Sequence, residues 1–284
     1  MKRLITTLSL VLFGIVAFAQ GADSTKKSID LADEHQIVIE ARSSAMNFDE
    51  IEVSRAIRLI VEERTTGNII IRAPRSVMPF VSLKVEKNTL YATLLQGTPV
   101  SRNSNIVAEV YIPYNGRINE ITTSTAARVI VKPTLSCNKL DLEATSASVI
   151  EVTAGAKRVE IDASGASTIK AEMAGNELDM ELSGASTATL AGHIESAEIE
   201  VSGASTLKAE KLRNSRLELE CSGASKATAL AVSCSANASG ASAIKVECLQ
   251  QLNAAASGAS SITYSGDCQL NSTSSTGGSS IRKK

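Results

Sequence analysis

The tetrapeptide Ser-Gly-Ala-Ser recurs through the second half of the chain, and this recurrence constrains the fold more than any other feature. Copies begin at Ser164, Ser183, Ser202, Ser222, Ser239 and Ser257, at spacings of 19, 19, 20, 17 and 18 residues. A degenerate copy, Thr145-Ser146-Ala147-Ser148, lies 19 residues before the first, and Thr276-Gly277-Gly278-Ser279 lies 19 after the last. Ser124-Thr125-Ala126-Ala127 stands 21 residues ahead of Thr145. Such a period is the signature of stacked units that cannot bury an apolar face alone.

Between the motifs, hydrophobicity alternates. Val159, Ile161 and Ala163 interleave with Glu160 and Asp162, and Leu178, Met180 and Leu182 with Asp179 and Glu181. After the motif, Ile169 and Ala171 flank Lys170, Leu207 and Ala209 flank Lys208, and Ile244 and Val246 flank Lys245. A period of two means a strand with one face inward and one outward. Each unit therefore reads strand, Ser-Gly-Ala-Ser corner, strand, polar turn. The fold class is all-β: a single parallel β-helix, right-handed by the general preference of parallel crossovers.

A narrow coil explains the composition, with aromatics at 3% and no Trp. Gly165, Gly184, Gly203, Gly223, Gly240 and Gly258 free the backbone at the bend. The Ser columns of the motif can hydrogen-bond to one another or to corner backbone. These corner residues are read as structural. All five prolines (Pro74, Pro79, Pro99, Pro113, Pro133) precede the Ser-Gly-Ala-Ser array. That is expected where every internal strand needs its N–H.

Residues 1–19 read as an export signal: Lys2 and Arg3, an apolar run from Leu4 to Phe18, and an Ala17-Phe18-Ala19 cleavage site. Residues 20–45 form a lead-in expected to be disordered, its polar stretch covering 20–35. Residues 46–284 form the β-helix, with irregular coils over 46–120 and regular repeats over 121–284. Ile51–Leu59 aligns position for position with Ile199–Leu207, with Arg55 in place of Gly203. Asn68–Ile71, Val81–Leu95 with a turn at Glu86-Lys87-Asn88, and Ile106–Ile112 are further strand-like runs. After signal removal no apolar run is long enough to span a membrane. The expected location is the periplasm, the cell surface or the outside.

With 29 basic and 30 acidic residues, the chain lacks the basic surplus of a nucleic-acid binder. His35 and His193 have no partner at ligand spacing, so no metal or other cofactor is expected. The carboxylates Glu160, Asp162, Asp179, Glu181, Glu198, Glu200, Glu218 and Glu220 read as a solvated strand face, as do Lys170, Lys208 and Lys245. No catalytic pair stands out among them. The position after the motif (Thr168, Thr187, Thr206, Lys226, Ala243, Ser261) loses its threonines along the array, which disfavours an ice-binding face. The cysteines, Cys137, Cys221, Cys234, Cys248 and Cys268, suit a small-residue core. Cys248 and Cys268, 20 residues apart, leave two readings open: a disulfide across adjacent coils, or two buried thiols. Charged columns on an extended coil could bind an extended glycan or a host or cell-surface protein; the partner is not specified by the sequence.

Asn47-Phe48-Asp49-Glu50-Ile51-Glu52-Val53-Ser54, then Lys84-Val85-Glu86-Lys87-Asn88-Thr89-Leu90, then the Ser-Gly-Ala-Ser array, resemble a bacterial family, the putative auto-transporter adhesins with a head GIN domain. The resemblance covers about residues 45–284. It implies a right-handed parallel β-helix, an exported envelope protein and no established enzymatic activity, and the family name suggests adhesion. It supplies no catalytic or binding motif to carry over. An auto-transporter also needs a membrane barrel of alternating strands. The repeat runs almost to Lys284, so the expectation is a chain that does not translocate itself: a free exported solenoid, or one that uses another secretion route.

Overall fold

The structure, a computed structural model, describes residues 37–43, 47–64, 67–99 and 107–284. The expected export signal and most of the lead-in, including His35, lie outside the described residues. The strands of the irregular half are β1 (Ile37–Ser43), β2 (Glu50–Val53), β3 (Ile57–Glu62), β4 (Asn68–Pro74), β5 (Val81–Glu86), β6 (Thr89–Leu94), β7 (Ala108–Pro113) and β8 (Glu120–Thr123). Those of the regular half are β9 (Arg128–Ala144), β10 (Val149–Ala163), β11 (Thr168–Leu182), β12 (Thr187–Val201), β13 (Thr206–Cys221), β14 (Lys226–Ala238) and β15 (Ala243–Ala256), closed by β16 (Ser261–Ser265), β17 (Gln269–Ser275) and β18 (Ser280–Lys283). Together they wind one parallel-stacked β-solenoid of about nine turns. No α-helix occurs among the described residues.

Each long strand bends once. In β11, Ile169, Ala171 and Met173 point inward, the phase slips across Ala174–Glu177, and Leu178, Met180 and Leu182 point inward again. One strand therefore supplies two limbs of a flattened coil. Each limb pairs in parallel with the same limb of the next coil, as Thr168↔Thr187 and Leu182↔Val201 show for β11 and β12. Ile, Leu, Val, Met and Ala from the two limbs fill the cross-section. Such a core has no room for aromatics in the regular half, and Tyr264 enters only at its last coil.

The corners come in two forms. At Gly165, Gly184, Gly203, Gly223, Gly240 and Gly258, φ lies between 67° and 72°, while the Ala that follows has negative φ. In the glycine-free corners Arg55-Ala56, Thr125-Ala126 and Ser146-Ala147, both residues have positive φ. These sign patterns are those of type II′ and type I′ turns, which differ by a flip of the central peptide. The hydrogen bonds record the flip. Ala56 N–H and Ala126 N–H donate forward, to Thr125 O and Ser146 O of the following coil. Ala185 and Ala204 donate backward, to Gly165 O and Gly184 O at 2.7 Å. In the backward form the previous carbonyl lies directly beneath the first corner residue. A Cβ on Gly203 would stand 2.5 Å from Gly184 O. Glycine is required there both for φ and for space.

The irregular half is where sequence order and stacking order part. Strand β2 lies between β6 and β8, and β3 between β7 and β9, all in parallel. The coil made by β6 and β7 thus stacks outside the earlier coil made by β2 and β3. Beyond it, β5 pairs antiparallel with β6, β4 with β7, and β1 with β4. Residues 46–120 are accordingly not simply further coils: β4 and β5 close the N-terminal end as antiparallel strands. The β5–β6 hairpin turns at Lys87-Asn88, with φ of 48° and 72°, the two-residue loop that matches strand twist. Strand β1 also corrects the lead-in, since Ile37–Ser43 is ordered as an edge strand inside residues 20–45. Its Ile37-Val38-Ile39 core is β-branched, and β4 offers it a free edge.

Pro74 and Pro113 end their strands, and Pro133 lies inside β9. Its position coincides with a register shift: Glu151 pairs with Ile130, but Thr153 pairs with Thr134. The bulge takes out of the ladder the residue that has no N–H to give.

Candidate functional site

The stacking turns each outward position into a column. On the second limb, Glu50, Glu120, Asp141, Glu160, Asp179, Glu198 and Glu218 are successive in-register partners. Two positions along the strand, Glu143, Asp162, Glu181, Glu200 and Glu220 form a second column. Neighbours in each column are one strand apart, about 4.8 Å, and like charges so placed oppose one another. Burial, reinforced by Glu181, Glu143, Asp179 and Glu160, pushes the Asp162 carboxyl above its ordinary range. Burial, with Glu50, Asp141 and Glu143, does the same to Glu120.

Two cations relieve part of this repulsion. Lys139 Nζ lies 2.7 Å from Glu160 and 3.1 Å from Asp141, and Arg158 Nε lies 2.9 Å from Glu160. Glu160 is held below its ordinary range, chiefly by the Lys139 hydrogen bond and also by that of Arg158. Farther along, Glu181, Glu198, Glu200 and Glu218 have no ion-pair partner among the described residues. The columns then change chemistry. Ser235, Asn253 and Ser272 continue the first, and Asn237, Ala255 and Ser274 the second. Beside the second column an open trough of about 250 Å³ follows the corner, lined by Glu200, Glu220, Asn237 and the motif serines Ser202, Ser222, Ser239 and Ser257.

The first limb carries a different pattern. Lys170, Thr189, Lys208, Thr228, Lys245, Thr263 and Arg282 are in-register partners, so a cation stands on every second coil. Lys170 pairs with Glu151 at 3.2 Å.

The two serines of the motif have separate roles. The first, as in Ser164, Ser183 and Ser202, is partly exposed at the corner. The second is buried: Ser186, Ser225, Ser242 and Ser260 donate to Ala163 O, Val201 O, Cys221 O and Ala238 O of the preceding coil at 2.9–3.1 Å. Hydroxyl-to-backbone bonds thus belong to this inward column, and its regular spacing in the repeat is the sequence signal for it.

All five cysteines are thiols, with Cys221, Cys234 and Cys248 buried. Burial pushes Cys221 and Cys234 up to about 12 and Cys248 up to about 11. Cys248 and Cys268 sit at the same bend of adjacent coils, close enough to interact. His193 lies at the bend of β12 and pairs in register with Ala174 and Arg213. Among the described residues no group of three or more His, Cys, Asp or Glu could hold a metal ion, and no helix is long and apolar enough to cross a membrane.

Residues 47–248 match the family described as putative auto-transporter adhesin, head GIN domain. No curated protein matches the chain. Three solved structures are similar. A putative adhesin from Parabacteroides merdae is 16% identical with a TM-score of 0.70, over 88% of this chain and 96% of that one. A putative lipid binding protein from Parabacteroides distasonis is 18% identical with a TM-score of 0.65, over 87% and 96%. A putative adhesin from Bacteroides fragilis is 17% identical with a TM-score of 0.56, over 89% and 99%. At these identities the likeness shows a shared fold alone.

Proposed function

The chain belongs to the putative auto-transporter adhesin, head GIN domain family, and from that premise we propose that it is a non-catalytic, exported binding protein of the cell envelope. The regular coils present the second-limb face to an extended partner. The observation that carries this reading is the column arrangement. Carboxylates, then amides and hydroxyls, repeat at strand spacing along one flat face beside the serine-lined trough. A polymer lying along the solenoid axis can meet the same group again at each coil. The hydroxyl and amide stretch suits a glycan, while the carboxylates suit cationic segments of a surface protein. Carboxylates in continuous columns do not form the isolated flanking pair that glycoside hydrolysis needs.

The first test is protease shaving of intact cells with a periplasmic protein as control. Cleavage of this chain while the control survives supports adhesion. Protection until the outer membrane is broken removes adhesion to outside partners. On isolated protein, Asn237→Ala with Asn253→Ala is expected to weaken binding in a glycan screen, and unchanged binding sinks the glycan assignment.

A second reading, a structural scaffold joined end to end, is favoured by the C-terminal edge. There β17 is exposed along its length, with Leu270 40% exposed, and among the described residues β18 pairs with β16 alone. Concentration-dependent filaments would support it.

A further inference from the structure

From β13 to β18 the first-limb face gathers cations that nothing neutralises. Lys208, Thr228, Lys245, Thr263 and Arg282 follow one another in register. Two residues nearer the corner, Thr206, Lys226, Ala243, Ser261 and Ser280 do the same. Lys226 enters the second column on the coil where the first carries Thr228, so three successive coils each present one ammonium group in these columns. One strand spacing and two residues along the strand set neighbouring cations about 8 Å apart. Lys208, Lys226, Lys245 and Arg282 are all exposed, and among the described residues none of them has an ion-pair partner. Lys170, farther back in the first column, is paired with Glu151 and stands outside this group.

The third outward column does not cancel this charge. It is mixed in sign, with Leu230 between Arg213 and Glu247, and Glu210 accepts a hydrogen bond from Thr228 at 2.8 Å. Over residues 206–213, 226–232, 243–247, 261–265 and 280–282 the first limb holds six basic residues against two acidic ones. The second limb of the same coils has carboxylates at Glu218 and Glu220 and neutral side chains in register beyond them. The field of the solenoid therefore directs an anionic partner to the first limb. What stands beside the cations selects among anionic partners. No aromatic ring lies in the two columns, so nucleic-acid bases have nothing to stack on. Their one apolar side chain is that of Ala243, too short to enter a bilayer. Thr206, Thr228, Ser261, Thr263 and Ser280 instead line the cations with hydroxyls. A flat strip of regularly spaced cations and hydroxyls matches a polymer that repeats anions and hydroxyls at regular intervals.

We propose that the first-limb face of β13 to β18 binds an acidic polysaccharide laid along the solenoid axis, whose carboxylate or sulfate groups meet Lys208, Lys226, Lys245 and Arg282 in turn. A lysine ammonium is a point charge on a flexible stem and follows either anion. The strip thus selects for a run of negative charge rather than for one sugar. This face lies apart from the carboxylate columns and the trough of the second limb, and the inference does not rest on their binding anything.

Calorimetric titration of the full chain with polygalacturonate and with heparin, against neutral dextran as control, tests it. At low salt at least one of the two acidic polymers should bind, and dextran should not. Raising salt from about 0.01 M to about 0.15 M shortens the screening length from about 30 Å to about 8 Å, the spacing of the cations, so affinity should fall about ten-fold or more. Lys208→Gln with Lys226→Gln and Lys245→Gln removes three exposed charge contacts, together worth about ten-fold. Lys84→Gln with Lys132→Gln and Lys157→Gln removes the same net charge from elsewhere and should leave the affinity within about two-fold once distant charges are screened. Lys208→Arg with Lys226→Arg and Lys245→Arg keeps the charge and should keep the binding. Circular dichroism melts establish that each triple variant is folded. Neither polymer bound above dextran, equal losses from the two glutamine triples, or phosphatidylglycerol vesicles or single-stranded DNA held more tightly than both polymers through the same lysines would each overturn the proposal.

Discussion

Replacing Gly203 by Ala tests the corner more sharply than any other single change. An Ala held at φ of 67° costs about 1–2 kcal/mol. Its Cβ would stand 2.5 Å from Gly184 O, well inside the ~3.3 Å of a close C···O contact. That oxygen accepts Ala204 N–H at 2.7 Å, so moving it away loosens a hydrogen bond of about 0.5–1.5 kcal/mol. The other escape is the peptide flip used at Ser146, but it gives up the bonds of Gly203 O to Ala224 and of Ala204 N–H to Gly184 together. Either route sums to about 2–4 kcal/mol, or roughly 4–16 °C in midpoint for a domain of this size. Gly116→Ala is the internal control, because its φ is 76° and nothing lies within 4 Å of the added Cβ. It carries the backbone cost alone, about 1–2 kcal/mol. Thermal and urea unfolding followed by circular dichroism would compare the two. If Gly203→Ala were no more destabilising than Gly116→Ala, the tight corner stack would be wrong.

Two further outcomes follow from the columns and the core. Asp162 and Glu120 have folded pKa values above those of the unfolded chain. The native state therefore binds more protons in that window, and stability falls as pH rises through it. Glu160 works in the opposite sense and loses its contribution as pH falls through its lowered pKa. Asp162→Asn should raise the unfolding midpoint at neutral pH, by about 0.2–1 kcal/mol in stability, and should flatten the fall in stability as pH rises through the carboxylate range; an unchanged pH profile would refute the repulsion argument. With thiols raised to about 12, Cys221 and Cys234 should resist iodoacetamide in the native protein and react after unfolding. A peptide map after exposure to a disulfide donor would show Cys248 joined to Cys268 if that pair is the oxidisable one, and full alkylation of both would argue for two plain thiols.

The corners and limbs were legible because one residue type answers one geometric demand at each step. Ile161 and Glu160 alternate because the strand has two faces, and Gly184 recurs because a carbonyl lies under it. The order of the N-terminal strands was not legible. The apolar residues of β4 and β5 alternate as they would in a parallel coil, so direction leaves no mark on the pattern. Nothing in the local sequence of β2 says that β6, almost 40 residues later, will cover it. Ile37 and Ile39 follow a polar stretch, and they are 62% and 52% exposed on an edge, so no burial pattern marks them. The columns needed the register as well. Coils of 17 and 20 residues conceal the two-coil alternation of Lys208, Thr228 and Lys245 until bulges absorb the differences.

The change of corner form between Ser146 and Gly165 has an electrical consequence. From Gly165 onward, six corner peptides are chained by five bonds, from Ala185 to Gly165 through Ala259 to Gly240, with each accepting carbonyl directed toward the C-terminal end. On the other side, the bonds from Ala56 to Thr125 and from Ala126 to Ser146 direct their carbonyls toward the N-terminal end. Each peptide carries a dipole of about 3.5 D, and aligned peptides add. Two opposed strings therefore meet with their positive ends together, at the N–H groups of Ala147 and Ala166. Those two donors face each other across one coil spacing, and neither meets a backbone carbonyl of the neighbouring corner. The solenoid, uniform in its ladders, thus has a polarity that reverses at a single level, on a corner otherwise lined with small neutral side chains.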